Sequence, residues 1–413
     1  MSRFFIILAI IYLIGAFYSF QAFKTLVKNQ WLYALYGLIF LGVLVNLYIQ
    51  FSGYERGQAM TSAMSISMGV FLAFFTLGLF GGAFMLFEDI VRFLGWGYNK
   101  FTGTTNGSGG FLPSRRKFLS LTALGVAAIP FAGLLYGMYK GKYNFRVLKY
   151  TLHFEDLPEA FDGYQLTQIS DIHSGSFDNK KKVEYAIDLI NEQASDIILF
   201  TGDMVNNLAS EMEPWKDTFG RLKARDGVYS ILGNHDYGDY SDWNGDMEAK
   251  QQNLDRLKEI QKEMGFDLLL NETRFLEKDG QRLALIGVEN WGAGRFKKAG
   301  DLDKALTPVS KEDFKILMSH DPSHWEMEVI NHDAHIHLTL SGHTHGMQFG
   351  IEIPGWIKWS PVKWRYRYWA GIYKELDQYI NVNRGFGYIG YPGRVGIWPE
   401  ISVIELKKGS KTT

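Results

Sequence analysis

The run Ile336-His337-Leu338-Thr339-Leu340 leads straight into Ser341-Gly342-His343-Thr344-His345-Gly346, and the same arrangement recurs upstream in the 413-residue chain. Gln165–Ser170 ends in Asp171-Ile172-His173, Asp196–Phe200 in Thr201-Gly202-Asp203, and Val228–Leu232 in Gly233-Asn234-His235-Asp236. Phe314–Met318 ends in Ser319-His320-Asp321-Pro322. Each such run reads as a short β-strand. Between these runs, Lys180–Gln193 has helical spacing, a long polar helix is expected at about Asp246–Met264, and Leu268–Glu289 alternates around Asp279-Gly280 as a hairpin does. The predicted class is therefore α/β, with polar side chains gathered in loops at strand ends, where such folds place their sites.

Those loops carry one kind of chemistry. Asp171 and His173 are two residues apart, as are His343 and His345. On extended backbone, residues two apart point the same way, so each pair is expected to present two ligands to one locus. Asp203, Asn234 and His320 each add one ligand from a different strand end. Imidazole nitrogen mixed with carboxylate and amide oxygen suits divalent Mn, Fe or Zn. The chain has no cysteine, which excludes disulfides, thiolate ligands and a cysteine nucleophile. The five histidines outside the motifs, His153, His324, His332, His335 and His337, read as structural or solvated.

Asp-x-His, Gly-Asp, Gly-Asn-His-Asp, a lone His and Gly-His-x-His, in that order, resemble the calcineurin-like metallophosphoesterase superfamily. The tail Val382–Gly387, with Pro399-Glu400-Ile401, resembles its membrane-associated bacterial YkuE-like branch. Gly346-Met347-Gln348 departs from that branch, which often has a second glycine there. The resemblance implies a four-layer αββα sandwich over residues 144–413 and two divalent metal ions. One metal would take Asp171, His173, Asp203 and His345; the other would take Asp203, Asn234, His320 and His343, with Asp203 shared. It implies hydrolysis of a phosphodiester or pyrophosphate by metal-activated hydroxide, with His235 as proton donor to the leaving group and Asp236 orienting it.

The first 143 residues are of another kind. They hold 11 Lys/Arg and 3 Asp/Glu, against 32 and 41 in the remainder. Four apolar runs at about 4–23, 32–51, 66–87 and 118–139 each have the length of a membrane-spanning helix and contain no charge. Spans without ionisable groups argue for an anchor rather than a transporter. Lys24, Lys28, Arg92, Lys100 and Arg115–Lys117 fall in the loops of one side, against Arg3 and Arg56 on the other. By the positive-inside rule the large domain faces out, which for a bacterial inner membrane is the periplasm or cell exterior. The stretch 102–113 reads as a flexible Gly/Ser/Thr loop, and Ser114–Leu119 resembles an internal twin-arginine signal.

The acidic second half gives no support for nucleic-acid binding. The expected partners are the membrane and a phosphoester, with a lipid-linked one in view. Gly355–Tyr373 interleaves Trp356, Trp359, Trp364, Tyr366, Tyr368, Trp369 and Tyr373 with Lys358, Lys363, Arg365 and Arg367. It reads either as a surface hairpin packed on the core or as a patch resting on lipid headgroups. Arg384 and Arg394 are candidate phosphate clamps or ordinary ion-pair partners. Two competing functions are a lipid-nucleotide pyrophosphatase resembling the UDP-diacylglucosamine hydrolases, which would face the cytoplasm, and a metal-binding sensor or scaffold without turnover.

Overall fold

The computed structural model describes residues 3–54, 58, 60–102, 113–353 and 355–410. The chain divides into two compact units: Met1–Tyr54 with Thr61–Tyr139, and Glu55–Met60 with Lys140–Thr413.

Among its described residues the first unit has four long apolar helices: α1 (Arg3–Leu26), α2 (Gln30–Phe51), α3 (Ser62–Thr102) and α4 (Pro113–Tyr139). Each is long and apolar enough to cross a membrane. Small residues let α1 and α3 approach closely. A Cβ on Gly82 would stand 2.9 Å from the Gly15 carbonyl oxygen, so backbone packs on backbone there. One expectation needs correction. Residues 88–102 are helical rather than loop, and α3 has 41 residues. That is about 60 Å of helix, twice the hydrocarbon thickness, so part of it lies beyond the apolar run. Glu88 and Arg92, one turn apart, stand 3.9 Å from each other in this polar extension. Of the expected loop, Thr102 ends α3 and Pro113 opens α4, while 103–112 lie outside the described residues, as does Arg56. Ser114–Leu119 is helical, in the first turns of α4.

Among its described residues the second unit contains fourteen strands: β1 (Arg146–Phe154), β2 (Gln165–Ile169), β3 (Ile197–Phe200), β4 (Val228–Ser230), β5 (Phe266–Leu268), β6 (Glu272–Lys278), β7 (Gln281–Gly287), β8 (Phe314–Met318), β9 (Leu338–Ser341), β10 (Ile351–Ile353), β11 (Ile357–Trp359), β12 (Gly371–Glu375), β13 (Gln378–Val382) and β14 (Glu400–Lys408). One six-stranded sheet has the order β1-β14-β2-β3-β4-β5, the other β12-β13-β9-β8-β7-β6, and β10-β11 stand apart as a hairpin.

The apolar runs lack alternation because both faces of each sheet are buried. Leu166, Leu199, Leu283, Leu285, Ile316, Leu338 and Leu340 meet in the core between the two sheets. Their neighbours Ile169, Ile198 and Phe200 turn the other way, onto the helix α5 (Lys180–Asn191) and the helix Met247–Glu263. Ala284, Ile286 and Leu317 turn onto the short helices Leu302–Leu306 and Pro322–Met327. The result is helix, sheet, sheet, helix. Each helix is specified locally. Asn179 caps α5 by accepting the Lys182 N–H, and Val183, Ala186, Ile187 and Ile190 recur on its buried face. The strands β1, β12, β13 and β14 were not expected from the sequence. They extend each sheet at the side away from the hairpin β6–β7 and β5.

Candidate metal centre

The loops after β2, β3, β4 and β9 line one cleft of about 730 Å³, and His320, after β8, reaches Asp203. Asp171, His173 and His345 bring ligand atoms within 4.8 Å of one another, and Asp203, His320 and His343 form a second such group. Asp203 joins the two: its Oδ2 is 3.1 Å from His320 Nε2 and 3.6 Å from His173 Nε2. His345 Nε2 is 3.1 Å from Asp171 Oδ1 and 3.0 Å from His173 Nε2. Ligand atoms about 2.1 Å from a common cation stand roughly 3.0–3.4 Å apart, so these separations fit a divalent ion in each group.

The backbone route to this convergence is not the expected one. Asp171, His173, Asp203, His343 and His345 all have positive φ, between 47° and 71°. The pairs two residues apart are therefore not on extended strand. They lie past the strand ends, in left-handed turns that fold the ligands inward. Close approach of the loops requires Gly342, where a Cβ would stand 1.9 Å from Ser170 Oγ and 2.2 Å from Asp171 Oδ2. The Asp171 carboxylate instead accepts the His343 N–H at 3.0 Å, which locks one ligand loop to another.

Polar atoms left over in the cleft fit cations as well. Asn234 donates its amide to Tyr240 Oη at 2.8 Å, while its Oδ1 is buried with no hydrogen bond. With the amide in this orientation the oxygen is free as a ligand. His320 places Nδ1 2.7 Å from the Thr201 carbonyl, which must accept a proton from it and so leaves Nε2 as the ligand atom. Electrostatics agree. Burial favours a neutral Asp171, but His345 beside it holds the carboxyl well below its usual range. Burial, reinforced by His345, holds His173 well below the usual imidazole range, and burial lowers His343 too. Burial pulls His320 down, yet the Asp203 carboxylate overrides it and raises the imidazole to about 10. A position that holds an imidazolium so firmly against Asp203 is one that favours positive charge. The ionised Asp171 and the neutral His173 and His343 are in the donor states a divalent ion needs, and at His320 such an ion would take the place of the proton.

His235 is half-buried at the mouth of the cleft, with Nδ1 2.7 Å from the Asn206 carbonyl oxygen. Asp236 does not orient it, contrary to expectation. Its carboxylate is fully buried and accepts the backbone N–H groups of Asp203 at 2.9 Å, Met204 at 2.8 Å, Val205 at 3.3 Å and Gly233 at 2.8 Å. It ties the Asp203 loop to the Asn234 loop. Burial, and then the charge of Asp203, push it up to about 7.

Sequence reasoning missed Tyr240, Tyr366 and Asp321. Tyr366 Oη is 2.8 Å from His343 Nε2, and Asp321 Oδ2 is 3.4 Å from the same nitrogen. Tyr240 and Tyr366 come from loops with no fixed spacing to the motifs. Asp321 had a signal, since it follows His320 directly, but its capping of the helix Pro322–Met327 is an equal reason for an aspartate there. The two arginines divide. Arg384 forms ion pairs with Glu352 at 2.5 Å and with Glu400, so it is an ordinary ion-pair partner. Arg394 is fully buried, donates Nε–H to the Gly387 carbonyl at 2.8 Å and stands 3.1 Å from His345 Nδ1, so it backs a ligand histidine rather than opening on the cleft.

Comparison with known proteins points the same way. Residues 164–347 match the model of the family described as calcineurin-like phosphoesterase. Residues 2–142 match that described as a probable calcineurin-like phosphoesterase transmembrane domain. A Danio rerio protein named as a transmembrane protein with metallophosphoesterase domain is 28% identical over 302 residues, 71% of this chain and 63% of its own. The metallophosphoesterase YkuE of Bacillus subtilis is 29% identical over 300 residues, 71% of this chain and 98% of its own. A Bos taurus protein with the same name as the zebrafish one is 27% identical over 258 residues, 61% of this chain and 54% of its own. The chain thus spans less than two thirds of the two vertebrate relatives.

Proposed function

The chain belongs to the calcineurin-like metallophosphoesterases, and from that premise we propose that it is a membrane-anchored hydrolase cleaving a phosphodiester or pyrophosphate bond of a lipid or other envelope substrate. The observation that carries this reading is the convergence of two Asp/His groups through Asp203 on one open cleft, with His235 at its mouth.

Asp171, His173, Asp203 and His345 would hold one divalent ion, and Asp203, Asn234, His320 and His343 the other, with Mn, Fe or Zn suited to the donors. When bound, such ions supply positive charge for the phosphoryl oxygens and acidify a water. The chain's own residues do the rest. The Asn206 carbonyl holds His235 Nδ1–H, which leaves Nε2 to carry a proton to the leaving oxygen. Tyr240 and Tyr366 hold the Asn234 amide and the His343 ring in place. Phe296, Met347 and Trp364 give the cleft an apolar wall beside its charged floor, which suits a substrate with an apolar part next to its phosphate.

The loop charges support an outward-facing domain, in a bacterium the periplasmic side of the inner membrane. A reporter joined to the C-terminus tests this: activity on the cytoplasmic side would favour the lipid-nucleotide pyrophosphatase reading. The hydrolase reading is tested with bis-p-nitrophenyl phosphate and Mn, using the full chain in detergent. Release of p-nitrophenol, lost in Asp203→Asn, is expected. Absence of turnover in a protein loaded with metal would leave the sensor reading standing.

A further inference from the structure

The strand β10 of the hairpin β10–β11 is built inside out. Antiparallel strands with one exposed face normally turn apolar residues in and polar residues out. Here Ile351 pairs with Trp359 and Ile353 with Ile357 across the hairpin, while Glu352 pairs with Lys358. Directly opposed residues share a face, so Ile351, Ile353, Ile357 and Trp359 form one face and Glu352 and Lys358 the other. Glu352 turns inward, paired with the buried Arg384, and the Lys358 ammonium reaches back to the Ala370 carbonyl although the residue is exposed. On β10 the apolar residues are the outer ones, Ile351 52% and Ile353 43% exposed, while on β11 Lys358 is exposed and Ile357 and Trp359 are half-buried beside them.

The neighbours continue the pattern. Trp356, beside the turn, is 78% exposed, and Trp364, packed edge-on against Trp359, is 77% exposed. In the second unit, the described large apolar residues that stand exposed number eleven, and six of them fall between Met347 and Trp364. That concentration is a patch, not the usual scatter. Residues 347–369 contain Lys358, Lys363, Arg365 and Arg367, the last paired with Glu375, against the single acid Glu352, within a half of the chain that is acidic. Among the described residues no carboxylate pairs with Lys363 or Arg365. Trp364 and Arg365 also line the metal cleft. Exposed Trp and Ile flanked by Lys363 and by Arg365, which lies over the Phe296 and Tyr366 rings, match an anionic phospholipid surface in both polarity and charge. The second unit continues directly from α4 at Tyr139–Lys140, so a bilayer is always within the chain's reach.

We propose that the outer face of β10–β11, with Trp356 and Trp364, docks on the anionic phospholipid leaflet and sets the mouth of the metal cleft at the lipid surface, so that the enzyme takes phosphoesters resident in the bilayer. The substrate part of this inference rests on the hydrolase reading; the docking part does not.

The absence of cysteine makes a clean test possible. The full chain carrying Ile351→Cys, labelled with an environment-sensitive fluorophore, is placed in nanodiscs of phosphatidylcholine with phosphatidylglycerol. Tyr185→Cys, on exposed α5, serves as the control position. The label at 351 is expected to shift to the blue and to be quenched by brominated acyl chains, less so without phosphatidylglycerol, while the label at 185 stays aqueous. Equal water exposure at both positions overturns the docking. In the same discs, Ile353→Ser with Trp356→Ser is expected to slow hydrolysis of phosphatidyl-p-nitrophenol about tenfold or more. Release from soluble bis-p-nitrophenyl phosphate is expected to stay unchanged. Equal effects on the two esters overturn the substrate claim. If the unsubstituted chain cleaves neither ester, the hydrolase reading has failed, and the label at 351 still decides the docking.

Discussion

Replacing Asp236 by asparagine separates two roles that the motif Gly-Asn-His-Asp leaves confounded. If Asp236 served His235, the variant would lose turnover and keep its fold. The structure instead gives the carboxylate four backbone N–H donors, two on each oxygen: Asp203 and Gly233 on Oδ2, Met204 and Val205 on Oδ1. Asparagine puts an NH₂ where one oxygen was. Whichever way the amide turns, two buried N–H groups face another donor. Each unsatisfied group costs about 1–3 kcal/mol. Removing a charge that Asp203 disfavours returns part of that, which leaves a net loss on the order of 2–4 kcal/mol. That is a large share of a typical domain stability of about 5–15 kcal/mol. At about 2–4 °C per kcal/mol for a domain of this size, the melting temperature should fall on the order of 5–15 °C. The assay is thermal unfolding of the full chain in detergent at one scan rate, with metal content measured in parallel, because both ligand loops are released. An unchanged melting temperature and full metal occupancy, with activity lost, would refute the loop-tie argument and restore the orienting role.

Three further outcomes are expected. His235→Ala should lower kcat on bis-p-nitrophenyl phosphate by about 10²–10⁴-fold without changing metal content, since its ring makes one hydrogen bond, to Asn206. Tyr240→Phe frees the Asn234 amide to rotate and should weaken binding of the second metal about 10–100-fold, read by competition with a chelating dye. His337 lies away from the centre and accepts the Lys315 N–H at Nδ1, so its Nε2–H is the one that faces Asp156, 2.6 Å away. Burial holds it down at about 4 in the folded state against an ordinary 6.5. The folded state therefore refuses a proton that the unfolded chain takes up. Stability is full above pH 6.5 and falls by at most about 3 kcal/mol as pH drops toward 4. His337→Asn, whose side-chain oxygen can keep the Lys315 bond, should show a shallower loss over that window in melting temperature against pH.

Much of this centre was legible because its ligands sit at strand ends. An apolar run marks the strand, and the first polar residues after it mark the loop. β8, expected over Phe314–Met318, occupies those residues. The outer partners were not legible. Tyr366 lies 23 residues from His343 in sequence and Arg394 lies 49 from His345, so no local period links them. The edge strand β1 and its neighbour β14 escaped notice for a different reason. They pair with each other across the whole chain of the second unit, Arg146 with Glu400 through Phe154 with Lys408. β1 has a mixed, half-exposed pattern that resembles neither a buried run nor a clean alternation. The tract Gly355–Tyr373 was read as one feature and is two: Tyr366, Tyr368 and Trp369 are buried, while Trp356 and Trp364 are exposed.

The left-handed backbone at the ligands yields a last prediction that bears on how the fold holds its chemistry. Five of the fourteen described non-glycine residues with positive φ are candidate ligands. That is too dense a cluster for turn chemistry alone, and such conformations cost about 1–3 kcal/mol each where nothing compensates. If the fold imposes them, glycine should be the better replacement at these positions. His173→Gly and His173→Ala both remove the same imidazole, so their difference reports the backbone at φ 47° and little else. Glycine is expected to be the more stable of the pair by about 1 kcal/mol, or roughly 2–4 °C in melting temperature. His320, whose φ is not positive, supplies the control, and there alanine should match or exceed glycine. Measured without metal, this comparison isolates the chain's own strain from ligand binding. Alanine equal to or better than glycine at 173 would mean that the loop relaxes once its imidazole is gone, so that the ligands bend the backbone rather than the backbone presenting the ligands.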